Sequence, residues 1–523
     1  MVAGAWAALQ LAGLMALVLA LWRLAWRPRA VARSFARQGI RGPPYRFLVG
    51  SLSEAKRLWD VGRRGVPPLD VASHDIMPVV MPYAHRWAAA YGRTYLLWIG
   101  PTPAIFSTDL ELIKQVLTDK AGQFPKYFMI PALRNIFGDG GLVVVNGDDW
   151  KRHRKVVNPA FSRGKIKSMS LVAVQVAEEM TQRWRDQIQH SGDCQAAEID
   201  VNDAFRDLTT EIIGRVAFAT DRREGDEIIL LWHKMAKLGV AAMTDAPILW
   251  YLPTRRNLRA RRLDELLRSR IVALMQARVA AKDANRGYGD DLLALLLEAW
   301  SPERPGSGEA LTTQEVVDEC KTFFATGQET TGTLLVWTMF LLSVHPQWQE
   351  KVREEVLGEF GSGDGGEAAP STDALAKLKL LNMVLLETLR LYPPVVYIQR
   401  RAASDVKLGG LDVPRGTVIS IPIGMLHRDK EVWGLDADEF NPMRFENGVS
   451  TAAKDPKALL SFSLGPRTCI GQTFSMVEAQ IAMVMILRKF SFSLSPKYAH
   501  KPKFLIGLSP KLGMPLIVRN LEG

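Results

Sequence analysis

The stretch FSLGPRTCIG, Phe462 to Gly471, sets one cysteine between two glycines, two residues after an arginine and directly ahead of the apolar run IGQTFSMVEAQIAMVMILRKF. That run is helix-forming, so the sulfur of Cys469 sits just before a helix N-terminus, where backbone N–H groups and the helix dipole favour a thiolate. Gly465 and Gly471 permit tight turning and close approach of the main chain to something flat or bulky, which a cysteine packed as a small hydrophobe would not need. Cys194 and Cys320 lack such a frame and read as small buried hydrophobes. Three cysteines without a CxxC pair exclude a disulfide framework and a four-thiolate zinc site, and they point to a reducing compartment.

MVAGAWAALQLAGLMALVLALW opens the 523-residue chain with about twenty uncharged positions, enough to cross the hydrocarbon of a bilayer. A cleaved signal peptide is the competing reading, but the run is too long, has no basic start and has no small-x-small site before the charges begin. Arg23, Arg27, Arg29, Arg33, Arg37 and Arg41 follow, which places the rest of the chain in the cytoplasm by the positive-inside rule. The expected organisation is a transmembrane anchor over 1–26, a basic and Pro-rich hinge over 27–50, and a single catalytic body over 51–523. The net charge of +11 owes part of its size to the arginine run and suits an anionic membrane surface. No nucleic-acid motif accompanies the basic residues, so nucleic acid is not expected as a partner.

The body has 47% hydrophobic and 23% charged residues over the whole chain, long helical periods broken by Gly and Pro, and no internal repeat. The predicted fold class is mainly α with small β-sheets (α+β). Strands are expected at TYLLWIG (94–100), TPAIFS (102–107) and within DVKLGGLDVPRGTVISIPI (405–423), with turns at Gly409–Gly410 and Arg415–Gly416. SPERPGSGEA and GSGDGGEAAPS read as surface loops. APILWYLPTRRNLRARR reads equally as a segment that dips into a membrane interface and as an ordinary connector before a solvated basic helix.

A thiolate in bent backbone, with an arginine two residues earlier, suits a haem iron and its anionic propionates. Phe462-x-x-Gly465-x-Arg467-x-Cys469-x-Gly471 resembles the haem-binding signature of the cytochrome P450 family at every defining position. The resemblance implies a cytochrome P450 fold behind one N-terminal transmembrane helix and haem b (iron protoporphyrin IX) as cofactor. It further implies Cys469 as the metal ligand, Arg467 on a propionate, and Phe462 packed by the sulfur. Glu387 and Arg390 in LLNMVLLETLRLYPP lie three apart on a helix, where a solvated surface pair is the ordinary explanation. Their order and the later Arg444 in FNPMRF resemble the family's structural triad instead. Trp150 and Arg154 in DDWKRHRK resemble its propionate-reaching WxxxR, and Arg400 aligns with a further propionate-binding arginine.

The segment from Thr312, with Glu315 three residues on, opens with a capping box and continues as a long apolar helix to the break at His345–Pro346. Gly327, Glu329, Thr330 and Thr331 interrupt that apolar character. They read either as a polar patch at a helix contact or as a groove where dioxygen binds and protons arrive. Thr326-Gly327-Gln328-Glu329-Thr330-Thr331 resembles the family's oxygen-side motif, with Thr330 and Glu329 as the catalytic pair and Gly327 beside the cofactor. Thr326 replaces the usual small residue and is expected to crowd the pocket or to add a hydroxyl to it.

His427-Arg428-Asp429 copies a kinase tripeptide without the accompanying kinase motifs, and FGDGGL opens no dinucleotide-binding unit. Electrons are therefore expected from outside the chain, and the resemblance implies a membrane-bound, NADPH-dependent flavoprotein reductase docking on the basic face around the cysteine loop, with cytochrome b5 as a further donor. The resemblance covers nearly the whole chain after residue 40 and is greatest to the plant 72 clan, on stretches such as GDDWKRHRKVVNPAF and QETTGTLLVWTMFLLSVHPQWQEKVREEV. It implies an oxidoreductase of the endoplasmic reticulum membrane, single-pass with a cytoplasmic catalytic domain. Such an enzyme inserts one oxygen atom from O2 into a hydrophobic small molecule: terpenoid, hormone-like or lipid-like. A haem-thiolate isomerase or dehydratase and a non-catalytic haem-binding protein are the alternatives. By family position the pocket draws on Phe124 to Phe137, Thr326, Val395 to Ile398 and Ile506 to Ser509.

Overall fold

Helix α1 (Val2–Leu21) passes through a π-helical turn (Trp22–Trp26) into α2 (Arg27–Arg37), and among the described residues this is the one helix long and apolar enough to cross a membrane. The computed structural model describes residues 2–521 apart from 63–66, 129–130, 193–194, 221, 243–244, 246, 285–286, 301–309, 362–369 and 505. Cys194, most of the two expected surface loops and part of the 124–137 pocket segment lie outside the described residues.

The segment expected to be a hinge is tied to the body. Val31 and Phe35 on α2 are buried in a cluster with Leu96, Trp98 and Ile105. Gln38 Oε1 accepts from Asp412 N at 2.6 Å, and Tyr45 OH donates to Leu24 O. Apolar residues four apart on an otherwise basic helix give α2 one face to dock, while its arginines stay outside.

Strands β1 (Thr94–Ile99) and β2 (Thr102–Ser107) form an antiparallel hairpin around Gly100 at φ +57. They continue a sheet of order β1-β2-β7-β4, with β4 Ile398–Arg401 and β7 Val418–Ile421. A hairpin of β5 (Val406–Leu408) and β6 (Leu411–Val413) turns at Gly409 and Gly410, at φ +57 and +79, the left-handed region that glycine occupies without strain. The chain's last strand, β11 (Pro515–Asn520), lies between β3 (Ala196–Asp200) and β8 (Phe490–Leu494). The short strands β9 (Pro502–Phe504) and β10 (Leu508–Pro510) pair nearby.

The helical body carries the site. Among its helices are α3 (Gly147–Val157), α4 (Arg163–Gln189), α5 (Val201–Phe218), α6 (Arg222–Ala241), α7 (Arg255–Asp283), α8 (Thr313–Val344), α9 (Lys379–Leu391) and α10 (Gln472–Leu487). The expected capping box opens α8: Thr312 Oγ1 accepts from Glu315 N at 3.2 Å and Thr312 N donates to Glu315 Oε2 at 2.8 Å. Most of the second half of α8 is buried, with Trp337 stacked on Tyr392 at 4.4 Å. A Cβ at Gly327 would stand 2.7 Å from Ile213 of α5, so glycine here lets two helices touch.

Candidate active site

The cysteine loop closes on itself before α10 begins. Cys469 N donates to Phe462 O at 2.9 Å, Ser463 N to Leu460 O at 2.8 Å, and Thr468 Oγ1 to Gly465 O at 2.7 Å. Gly465 has φ +73, and a Cβ there would lie 2.3 Å from Leu117 O, so the loop requires glycine at this position. Gly471 is different: its φ is −86, and a Cβ would meet only Phe161 Cε1 at 3.8 Å.

A histidine supports the loop from behind. Leu460 N donates to His427 Nε2 at 2.9 Å, so His427 Nδ1 carries the proton and donates to Arg390 O at 3.1 Å. Burial, reinforced by Arg390, holds this imidazole neutral with a pKa of about 3. The tripeptide set aside as a kinase look-alike therefore ties α9 to the cysteine loop. Arg390 makes two 2.7 Å bonds to Glu387 and donates to His427 O at 2.8 Å, Glu439 O at 3.0 Å and Ala437 O. Both partners are fully buried, which excludes a solvated surface pair. Arg444 stands 3.8 Å from Glu387, and its stronger partners are Asp436 Oδ2 at 2.6 Å and Trp433 O at 2.7 Å. Sequence reasoning missed Asp436, whose only local signal is a spacing of eight residues.

Four cations gather on one side of this loop. Arg467 Nη2 donates to Val145 O at 2.7 Å and Asn146 Oδ1 at 2.8 Å, and its guanidinium lies 4.4 Å over the Trp150 ring. Arg154 Nη1 donates to Thr468 O at 3.1 Å. Arg400 is buried and bridges the backbone of Lys126. Lys126 N donates to Asn146 Oδ1 at 2.8 Å, bringing that lysine into the group. Among the described residues none of the four has a carboxylate partner, and Arg467 Nη1 is buried without a hydrogen bond. Burial first, then Arg400, Arg467 and Arg154, drive the Lys126 ammonium well below its ordinary pKa; burial, Arg400 and Arg154 do the same to Arg467, pulled to about 9. Unpaired positive charge held at buried and half-buried positions is costly unless an anion answers it, and a group bearing two carboxylates fits the cluster. Lys126 was not foreseen, because nothing beside it in the sequence marks a ligand.

Cys469 keeps accessible surface, yet protein crowds it closely enough that burial raises its pKa. Backbone hydrogen bonds from Gly471 and Gln472, together with Lys126 and Arg154, oppose that rise. The helix start expected to hold the thiolate is present, but in the polypeptide alone desolvation outweighs it, and the anion needs a further positive charge such as a metal ion.

On α8, the Thr326 hydroxyl donates to Thr322 O at 2.7 Å and Thr330 Oγ1 to Thr326 O at 2.8 Å. Thr326 thus directs its hydroxyl proton to the helix backbone, which leaves the hydroxyl oxygen as an acceptor. Glu329 Oε2 lies 3.5 Å from His233 Nε2 on α6. A Cβ at Gly507 would fall 3.2 Å from Glu329 Oε1 and 3.4 Å from Pro394 O, so the 506–509 and 395–398 segments meet beside this acid. Thr331 Oγ1 pairs with Ser475 Oγ at 2.9 Å, and the same threonine hydrogen-bonds the buried Glu478 of α10. Burial pushes the Glu478 carboxyl up to about 8. Gly327 faces Ile213 of α5.

The family model described as Cytochrome P450 matches residues 73–515. The chain belongs to the cytochrome P450 family. It is 41% identical over 518 residues to Cytochrome P450 709B3 of Arabidopsis thaliana, covering 97% of each chain. It is 40% identical to Cytochrome P450 72A15 of the same plant, covering 96% of each, and 37% identical to Secologanin synthase 2 of Catharanthus roseus, covering 98% of this chain and 97% of the relative. This P450 is accordingly a haem-thiolate monooxygenase, an oxidoreductase whose cofactor is iron protoporphyrin IX, and its curated relatives include members of the plant 72 family.

Proposed function

We propose that the protein is a membrane-anchored monooxygenase of the endoplasmic reticulum, its catalytic body cytoplasmic, acting on a hydrophobic small molecule of terpenoid, hormone-like or lipid-like character. The observation that carries the site assignment is the cluster of Lys126, Arg154, Arg400 and Arg467 beside the Cys469 loop, four cations without a carboxylate partner among the described residues. Cys469 holds the iron. Arg154, Arg400, Arg467 and Lys126 take the propionates, with the Trp150 ring bracing Arg467. Phe462 closes the loop by accepting the Cys469 N–H on its carbonyl, and its ring is the group assigned to pack by the sulfur.

When bound, the haem supplies the activation of dioxygen that a C–H oxidation requires. The chain's own part is to position, to exclude water and to move protons. Thr330 holds its hydroxyl hydrogen on Thr326 O and can pass it towards the oxygen side, and Glu329 replaces it from the next position. Gly327 permits the close helix contact that fixes this stretch of α8 beside the cofactor. The apolar 395–398 and 506–509 segments orient the substrate weakly, consistent with selection by shape.

The apolar α1 and the arginines after it support a bilayer anchor. Electrons come from NADPH through a membrane flavoprotein reductase, with cytochrome b5 as a second donor. The test is product analysis of microsomes containing the full chain and a reductase, fed a panel of diterpenoids, steroids and fatty acids. Oxygenated product that requires NADPH is expected. A product formed without reductase or NADPH would replace this reading with an isomerase or dehydratase.

A further inference from the structure

His233 is a histidine that the functional reading leaves unused. It sits on α6, and its Nε2 faces Glu329 Oε2 of α8 at 3.5 Å, while both side chains keep about a quarter of their surface accessible, 28% and 22%. Its other nitrogen is committed: Nδ1 lies 3.1 Å from Ile229 O one turn earlier, and a carbonyl can only accept, so Nδ1 must carry hydrogen. A neutral imidazole in that tautomer would turn the Nε2 lone pair on an ionised carboxylate. The contact is attractive only when one proton lies on that edge, on the imidazole or on the acid. Among the described residues no other side chain forms an ion pair with either group, and the Trp232 ring next along α6 is the aromatic neighbour. The charged pair closest to His233 that joins α6 to α7 is Glu227 with Arg270, at 2.8 Å, six residues earlier on the helix.

We propose that His233 is a positioning residue for proton delivery: it shares one proton with Glu329, aims that carboxyl, and passes hydrogen from solvent to the α8 groove. This rests on the reading that Glu329 and Thr330 handle protons, and it adds α6 as the element that controls them. Because the pair spans two separate helices, displacement of α6 would break it and withhold the proton while the groove is open.

The test uses the haem-loaded full chain with reductase, dioxygen and NADPH and no organic substrate. Oxygen is then reduced either to peroxide (O2 + NADPH + H+ giving H2O2 + NADP+) or to water (O2 + 2 NADPH + 2 H+ giving 2 H2O + 2 NADP+). NADPH, O2 and peroxide are counted together. His233→Phe is expected to change the share of oxygen reduced to water several-fold, Glu329→Gln to change it in the same direction, and the double variant to go no further than Glu329→Gln alone. His233→Lys, which restores a transferable proton, should recover most of the wild-type share. A readout independent of turnover is the 15N shift of the His233 ring, assigned among the eight histidines by its loss in His233→Phe: Nδ1 is expected to be protonated at neutral pH. A ring protonated on Nε2 alone, or variant effects that simply add, would overturn the role of His233. A Glu329→Gln variant with an unchanged oxygen balance would instead overturn the underlying reading of Glu329. If His233→Phe loses haem, His233→Asn takes its place in the same comparison.

Discussion

Replacing Glu478 by glutamine should remove a pH dependence of stability that can be worked out from its surroundings. The side chain is buried on α10, one oxygen has no partner, the other group in reach is Thr331, and burial pushes its pKa up to about 8. An exposed glutamate titrates near 4.3, so the folded protein binds a proton here that the unfolded chain has released between roughly pH 4.3 and 8. The sign follows: stability contributed by the neutral carboxyl is complete below the unfolded value and is lost as pH rises through the folded one. With 1.36 kcal/mol per unit, the loss between pH 5 and pH 8 is about 3 to 4 kcal/mol. Glutamine has the same shape and never ionises. Guanidinium unfolding of the haem-loaded, detergent-solubilised protein at pH 5.0, 6.5 and 8.0, wild type against Glu478→Gln, isolates this group because other titrations cancel in the difference. The wild type should lose several kcal/mol relative to the variant across the range. A wild-type-minus-variant difference that stays flat with pH would refute the reasoning.

Three further outcomes follow from the geometry. Gly465→Ala should cost about 2 kcal/mol or more in stability, because it combines a left-handed backbone with a clash on Leu117 O, whereas Gly471→Ala should fold normally and show any cost only in haem retention; thermal melts of the haem-free and haem-loaded forms check this. Lys126→Met should make the haem-free protein more stable, on the order of 1–3 kcal/mol, and the haem-loaded protein lose its cofactor at least about tenfold faster, as measured by transfer to apomyoglobin. Arg390→Leu strands the buried Glu387 carboxylate and should cost about 3–5 kcal/mol, seen as failure to accumulate haem-loaded protein at 37 °C, while Glu387→Gln with Arg390 intact should be milder.

The features legible in the sequence were those whose partners lie close by in the chain. The capping box of α8 joins residues three apart, the β1 and β2 hairpin is announced by two short apolar runs around Gly100, and Glu387 with Arg390 occupy one helix face. The cysteine loop was legible for the same reason, since its glycines, arginine and sulfur act within ten residues. Residues placed by long-range folding left no such trace. His427 joins α9 to the cysteine loop across 33 and 37 residues, and Lys126 reaches Arg400 only through a backbone bridge that the sheet creates. Glu478 looks like one polar residue on an apolar helix, and only the fold seats it against Thr331. Burial also works against one expectation: the helix start and nearby cations favour a Cys469 thiolate, but in the polypeptide alone desolvation outweighs them. The docked α2 segment was hidden by its arginines, which outnumber the buried Val31 and Phe35.

Everything assigned to the oxygen side presupposes sulfur on the iron, and the absorption spectrum of the dithionite-reduced protein under carbon monoxide reports that bond directly. The wild type should show the strongly red-shifted Soret band of a thiolate-ligated haem, and Cys469→Ser, folded by circular dichroism, should lack it. A wild-type band at the position typical of nitrogen ligation, or a red-shifted band that survives in Cys469→Ser, would contradict the account.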